Sequence, residues 1–152
     1  MKIGLFDHVE QGERPLAQLF EERLKFAEAA AAAGVYCLHI AEHHATPLNM
    51  VPVPGVYLSA LARATKRMRL GPLVYLLPLY SPLRLVEEIC MLDHLSHGRL
   101  EVGVGRGVSP YELGFHKNRA RRLARHFHRR VQLHQRRPDG GCAHLQRQVF
   151  CL

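Results

Sequence analysis

Residues 35–44 read Val-Tyr-Cys-Leu-His-Ile-Ala-Glu-His-His. Seven nearly continuous apolar residues end abruptly on a carboxylate and two imidazoles. An apolar run of that length predicts a strand covered on both faces, the situation of a strand within a parallel sheet. Working upstream, Arg14 to Ala33 predicts a helix whose apolar stripe is Leu16, Leu19, Phe20, Leu24, Phe26 and Ala27. Pro15 suits its first turn, and Gly34 stands where a helix stops. Residues 2–7 precede it as a short apolar strand.

Downstream, a loop rich in proline (Pro47, Pro52, Pro54) leads to a helix of small residues from Gly55 to Thr65. Arg69 to Leu77 predicts a third strand. Ser81-Pro82 caps a helix running to about Leu95, with Pro82 at its first position, and Gly98 to Gly105 is a fourth strand that ends on Arg106-Gly107. The order β-α-β-α-β-α-β implies four parallel strands joined by crossover helices. Spacings near 30 residues suit a doubly wound sheet or a barrel, and periodicity does not choose between them.

The charge is unevenly distributed. The formal +8 of the 152 residues invites a nucleic-acid reading, but residues 1–117 carry 12 Lys and Arg against 12 Asp and Glu. The excess lies in residues 118–152, which hold nine Arg, no Lys and Asp139 alone among acids. The chain therefore divides into 1–117 and an Arg/His-rich tail, 118–152, expected to be disordered. Arg119 to Arg130 could be drawn as a helix, but Arg and His occupy every face of it. The four cysteines (Cys37, Cys90, Cys142, Cys151) form no CxxC pair, so reduced thiols are expected. No signal peptide or membrane span is legible, and a cytoplasmic location is the expectation.

In parallel α/β proteins, chemistry gathers at the carboxyl ends of the strands. Here those ends are Phe6-Asp7, Glu42-His43-His44, Leu73-Val74 and Gly105-Arg106-Gly107. A carboxylate, an imidazole, a cation and a close-approach glycine turn together suit an anionic, planar cofactor. Adjacent histidines on a strand point in opposite directions, so His43 and His44 are a poor metal pair. The alternative for them is a bond to a loop carbonyl. Gly103-x-Gly105-Arg106-Gly107 has neither Rossmann nor P-loop spacing; its alternative is a turn packed on small residues. Asp93, His94, His97 and Arg99 read as a helix end and turn, with Asp93 placed to pair with Arg99.

Three stretches taken together resemble the bacterial-luciferase-like flavin monooxygenases. They are Ile40-Ala41-Glu42-His43-His44, the run Arg69 to Pro82, and Leu92-Asp93-x-Leu95-Ser96-x-Gly98-Arg99 with Gly103-x-Gly105-Arg106-Gly107. The resemblance implies the N-terminal half of a (β/α)8 TIM-type barrel, incomplete here because such a barrel takes about 250 residues. It implies FMN, used reduced, or a deazaflavin, with a flavin reductase or a nicotinamide as electron source, and O₂ acting on a small-molecule substrate. His43 would act beside the flavin as proton donor or acceptor. Glu42, Leu73, Val74, Gly105 and Arg106 would bind it, with a non-proline cis peptide at Leu73-Val74 and Arg106 on the phosphate.

The tail departs from that family. One-base-shifted codons for Arg125 to His134 can encode Ala-Ile-Phe-Ile-Glu-Gly-Tyr-Asn-Cys-Ile, a family-like helix, so the tail is read as out of frame. On that reading the chain is a truncated, oligomerising or aggregating fragment of a usually dimeric family, without catalysis. The competing reading is a non-catalytic half barrel whose basic tail holds nucleic acid or acidic surfaces; no specific nucleic-acid motif supports it. His126, His128, His134, Cys142, His144 and Cys151 match no zinc spacing well, and no metal is expected.

Overall fold

The computed structural model describes residues 1–114 and 149–151. The stretch 119–130, the expected disorder of residues 118–148 and 152, and the tail's histidines and Cys142 lie outside the described residues. Among the described residues, six strands and four helices follow in chain order: β1 (Gly4–Asp7), α1 (Leu16–Ala32), β2 (Cys37–Ile40), α2 (Pro54–Ala64), β3 (Arg69–Pro72), β4 (Tyr75–Leu76), α3 (Pro82–Ser96), β5 (Val102–Gly105), α4 (Pro110–Gly114) and β6 (Val149–Cys151). A short 3₁₀ turn, Leu77–Leu79, joins β4 to the loop before α3.

All strand pairs are parallel, and the two sheets run β1-β2-β3 and β4-β5-β6. The expected single strand over 69–77 is divided between β3 and β4 by a cis peptide at Leu73–Val74. A parallel bridge from Leu70 to Leu100 ties the sheets together. With β3 and β4 counted as one interrupted strand, each strand neighbours the next in sequence, without the order reversal of a doubly wound sheet. That order is the one a barrel requires.

The register sorts side chains onto two faces. Leu5 lies beside Leu38, and Leu38 beside Leu70; these point toward the helices and join Ile40, Leu58, Leu61, Leu85, Ile89 and Leu92 in the core. Full burial of each such leucine contributes about 2 kcal/mol. The opposite face, which a barrel turns inward, carries Cys37, His39, Arg69 and Gly71. Here Arg69 pairs with Glu101, and His39 Nε2 lies 3.2 Å from the second oxygen of Glu101. Strands β3 and β5 come so close that a Cβ on Gly71 would sit 1.6 Å from the Glu101 carbonyl oxygen.

Two local expectations are corrected. Ser81 is the residue before α3, but its side chain makes no capping bond; Pro82 alone marks the start. Arg99 does not pair with Asp93. Its buried guanidinium donates to the carbonyls of Ser96, Met68 and Ala62 and to Thr65 Oγ1, at 2.7–3.0 Å, because the ends of α2 and α3 leave carbonyls without partners there. No helix among the described residues is long and apolar enough to cross a membrane.

Candidate active site at the carboxyl ends of the strands

The loops that leave β1 and β2 interlock. Met50 N–H donates to Val9 O at 3.0 Å and Gln11 N–H to Pro47 O at 2.8 Å. Asn49, buried, donates to Ala41 O and accepts from Val51 N–H, both at 2.7 Å. Val9 and Ala45 hold positive φ angles of 49° and 52°, and Val9 is fully enclosed. A β-branched residue in that region is strained, and such strain collects at functional ends of folds.

Glu42 follows β2 and is 2% exposed. Its Oε1 accepts from His44 Nε2 at 2.8 Å. Its Oε2 accepts from Leu76 N–H at 3.1 Å and from Tyr80 O–H at 2.9 Å. The carboxylate thus lies beneath the strand ends rather than open to them. The hydrogen bond from His44 to Glu42 is the main cause that raises the His44 pKa above its ordinary value, against the opposing effect of burial. Burial raises Tyr80 beyond its ordinary range, and the negative Glu42 beside it adds to that shift.

His43 turns elsewhere. Its Nδ1 lies 3.0 Å from Glu112 Oε1, and its side chain stays 26% exposed. The His8 ring stacks on it with centroids 5.5 Å apart, and Phe6 meets His8 edge-on. The Nδ1 of His8 is buried without a hydrogen-bond partner among the described residues.

The Leu73–Val74 side chains are half-buried between β3 and β4. Gly105 faces them; a Cβ there would come 2.6 Å from Val74 Cγ2. Arg106, next in the chain, is exposed and has no ion-pair or hydrogen-bond partner among the described residues. Asp7, by contrast, is committed to local structure: one oxygen accepts Val9 N–H at 2.9 Å, and the other lies 3.5 Å from Arg23 of α1.

Sequence reasoning therefore located His43, Leu73, Val74, Gly105 and Arg106 at one end of the sheet, with Glu42 just beneath. It missed Glu112 and His8. Glu112 lies on α4, a helix of five residues too short for periodicity to reveal; the only signal was an acid soon after the glycine turn. Cys37, His39 and Glu101 are a further group whose ligand atoms lie within 4.8 Å of one another. It occupies the inward face at the other end of the strands, where Arg69 already pairs with Glu101.

Residues 1–131 match the family model described as luciferase-like monooxygenase. The chain is 50% identical over 115 residues to an uncharacterized protein, y4wF, of Sinorhizobium fredii, covering 76% of this chain and 34% of that protein. It is 32% identical over 114 residues to the oxygenase component of the flavin-dependent trigonelline monooxygenase of Acinetobacter baylyi, covering 74% and 32%. Among solved structures it resembles the oxygenating constituent of 3,6-diketocamphane monooxygenase from Pseudomonas putida, a type II Baeyer-Villiger monooxygenase in complex with FMN. That likeness has a TM-score of 0.78 at 26% identity and covers 93% of this chain and 42% of the other. The chain spans about a third of the length of these curated relatives.

Proposed function

The chain belongs to the luciferase-like monooxygenase family, and from that premise we propose that its strand ends bind FMN for the oxygenation of a small organic substrate by O₂. The observation that carries this reading is Arg106, an exposed guanidinium on the turn directly after the strand whose Gly105 packs on Val74.

The residues present suit the cofactor. Arg106 and the backbone of the glycine turn would hold the phosphate, since a guanidinium and close amides match a phosphate's charge and oxygens. Leu73 and Val74 would lie against the ring system as an apolar floor from which water is excluded. Glu42, expected to line the flavin site, would act there by holding both regions in place: it holds Leu76 on one side and His44 on the other. His43, half-buried beside the ring of His8, would hold or move a proton as charge develops on the reacting groups. Reduced flavin, when bound, supplies the electrons that activate O₂ for insertion of one oxygen atom into the substrate.

Two relatives carry the words "oxygenase component" and "oxygenating constituent" in their names, which supports a separate flavin reductase, drawing on a nicotinamide, as electron source. FMN is preferred to a deazaflavin because FMN is the ligand of a structurally similar monooxygenase.

The test is a set of fluorescence titrations with FMN, riboflavin and a deazaflavin. FMN should bind about tenfold or more tightly than riboflavin, a ratio equivalent to roughly 1.4 kcal/mol, and Arg106→Ala should remove most of that preference. Equal affinity for FMN and riboflavin, or no affinity for either, would defeat the reading. A preference for the deazaflavin would replace FMN as cofactor.

A further inference from the structure

We propose that Glu112 is a positioning residue that fixes which nitrogen of His43 carries the proton. The inference rests on the reading of His43 as the proton-handling group and names the residue that prepares it.

Glu112 is 4% exposed. Its Oε1 lies 3.0 Å from His43 Nδ1 and also 3.0 Å from the backbone nitrogen of His44. Its own N–H donates to Ser109 Oγ at 3.2 Å, which anchors the start of the short helix that carries it. A buried carboxylate is unfavourable unless its lone pairs are met by donors. The His44 N–H and the His43 ring meet that need together at Oε1.

An ionised carboxylate can only accept hydrogen bonds, so Nδ1 of His43 must be the donating nitrogen. When His43 is neutral, its single ring proton then sits on Nδ1, and Nε2 is left as the basic atom. When Nε2 takes up a proton, the adjacent carboxylate balances the new charge. The stacked ring of His8, with planes 17° apart, holds His43 in the plane this bond requires. The tautomer of a histidine is commonly set by the bond its other nitrogen makes. Here that bond joins a strand end to a residue 69 positions later, so the turn after β5 reports directly on the ring beside β2.

A role confined to pinning the His44 backbone would leave the His43 tautomer to solvent, which makes the tautomer the deciding readout. Long-range ¹⁵N–¹H correlation spectra of the ¹⁵N-labelled chain, at a pH where His43 is neutral and with its signals assigned by His43→Gln, distinguish the two nitrogens. The wild type should show His43 as the Nδ1–H tautomer. Glu112→Ala should move it predominantly to Nε2–H, and Glu112→Gln, whose carbonyl still accepts, should keep Nδ1–H. A wild type already in the Nε2–H form, or an alanine variant that keeps Nδ1–H with a dispersed spectrum, overturns the proposal. Should Glu112→Ala lose its dispersed spectrum, the wild type and Glu112→Gln decide: Nδ1–H in both supports it, Nε2–H in either overturns it. These spectra need no flavin, so the proposal and the FMN reading can fail separately.

Discussion

Glu42 and Leu76 are 34 positions apart and share a hydrogen bond: the Leu76 N–H donates to Glu42 Oε2 at 3.1 Å. The bond reaches from the end of β2 to the short strand that resumes after Val74, so one enclosed carboxylate holds the two regions in a fixed relation. Tyr80 O–H shares the same oxygen, and His44 holds the other. The side chains proposed to face the ligand are consequently supported by a buried carboxylate that ties their two segments together.

Glu42→Ala leaves the Leu76 N–H and the Tyr80 hydroxyl without their acceptor, and a buried donor so stranded costs about 1–3 kcal/mol. The expected loss is about 3 kcal/mol in urea unfolding. Glu42→Gln should lose only about 1 kcal/mol, because its carbonyl can serve Leu76 and Tyr80 while its amide donates to a His44 that changes tautomer. An alanine variant as stable as the glutamine variant would mean that the three bonds contribute nothing.

The same carboxylate sets a pH dependence. Its hydrogen bond raises the His44 pKa; burial opposes the shift, and the charges of Glu42 and of Glu112, which faces His44 from α4, add to it. A histidine raised in the folded state contributes stability that is complete below its unfolded value of about 6.5 and is lost as pH rises through the folded value. His39 works in the opposite sense: burial lowers its pKa despite the neighbouring Glu101, so its contribution is complete above about 6.5 and is lost on acidification. Removing His44 as His44→Gln should therefore tilt the stability profile, so that the variant is penalised most below about pH 6.5 and progressively less as pH rises through the raised folded value. Chemical denaturation at several pH values measures this, and profiles that run parallel to the wild type would refute it.

The strands and crossover helices were legible because each is a long apolar or amphipathic segment bounded by Gly or Pro. Boundaries moved by one to four residues where backbone bonding, rather than composition, ends an element: the strand expected from Gly98 begins at Val102, and α3 continues to Ser96 and closes on His97 in the left-handed region, φ 57°. Reading the strand ends placed His43 and Arg106, which are 63 positions apart, at the same end of the sheet. It could not reveal partners created by tertiary contact. Glu112 belongs to a helix too short to show a period, and His8 is a lone histidine after a four-residue strand. Asp93 and Arg99 show the opposite failure, since opposite charges close in sequence suggested a pair that geometry forbids. The guanidinium is drawn inward instead, because two helix ends offer it four acceptors.

That inward guanidinium supports the last prediction. Arg99 bonds Ser96 O at the end of α3, Ala62 O near the end of α2, and Thr65 Oγ1 and Met68 O in the loop between α2 and β3. Burial lowers its pKa from its ordinary value, yet a cation remains well suited there because both helices turn their negative ends toward it. Arg99→Met would bury the same volume and strand the acceptors, for an expected loss on the order of 3 kcal/mol. Arg99→Lys keeps the charge but cannot span four acceptors with one ammonium, and should fall between the methionine variant and the wild type. Arg84 is the control: its side chain is 84% exposed and only 3.9 Å from Glu87, so Arg84→Met should change stability by less than about 0.5 kcal/mol. Urea midpoints for the three variants rank them directly. If Arg99→Met unfolds no earlier than Arg84→Met, the guanidinium is not what joins the ends of α2 and α3, and the packing of Leu58, Leu61, Leu85 and Leu92 holds them without it.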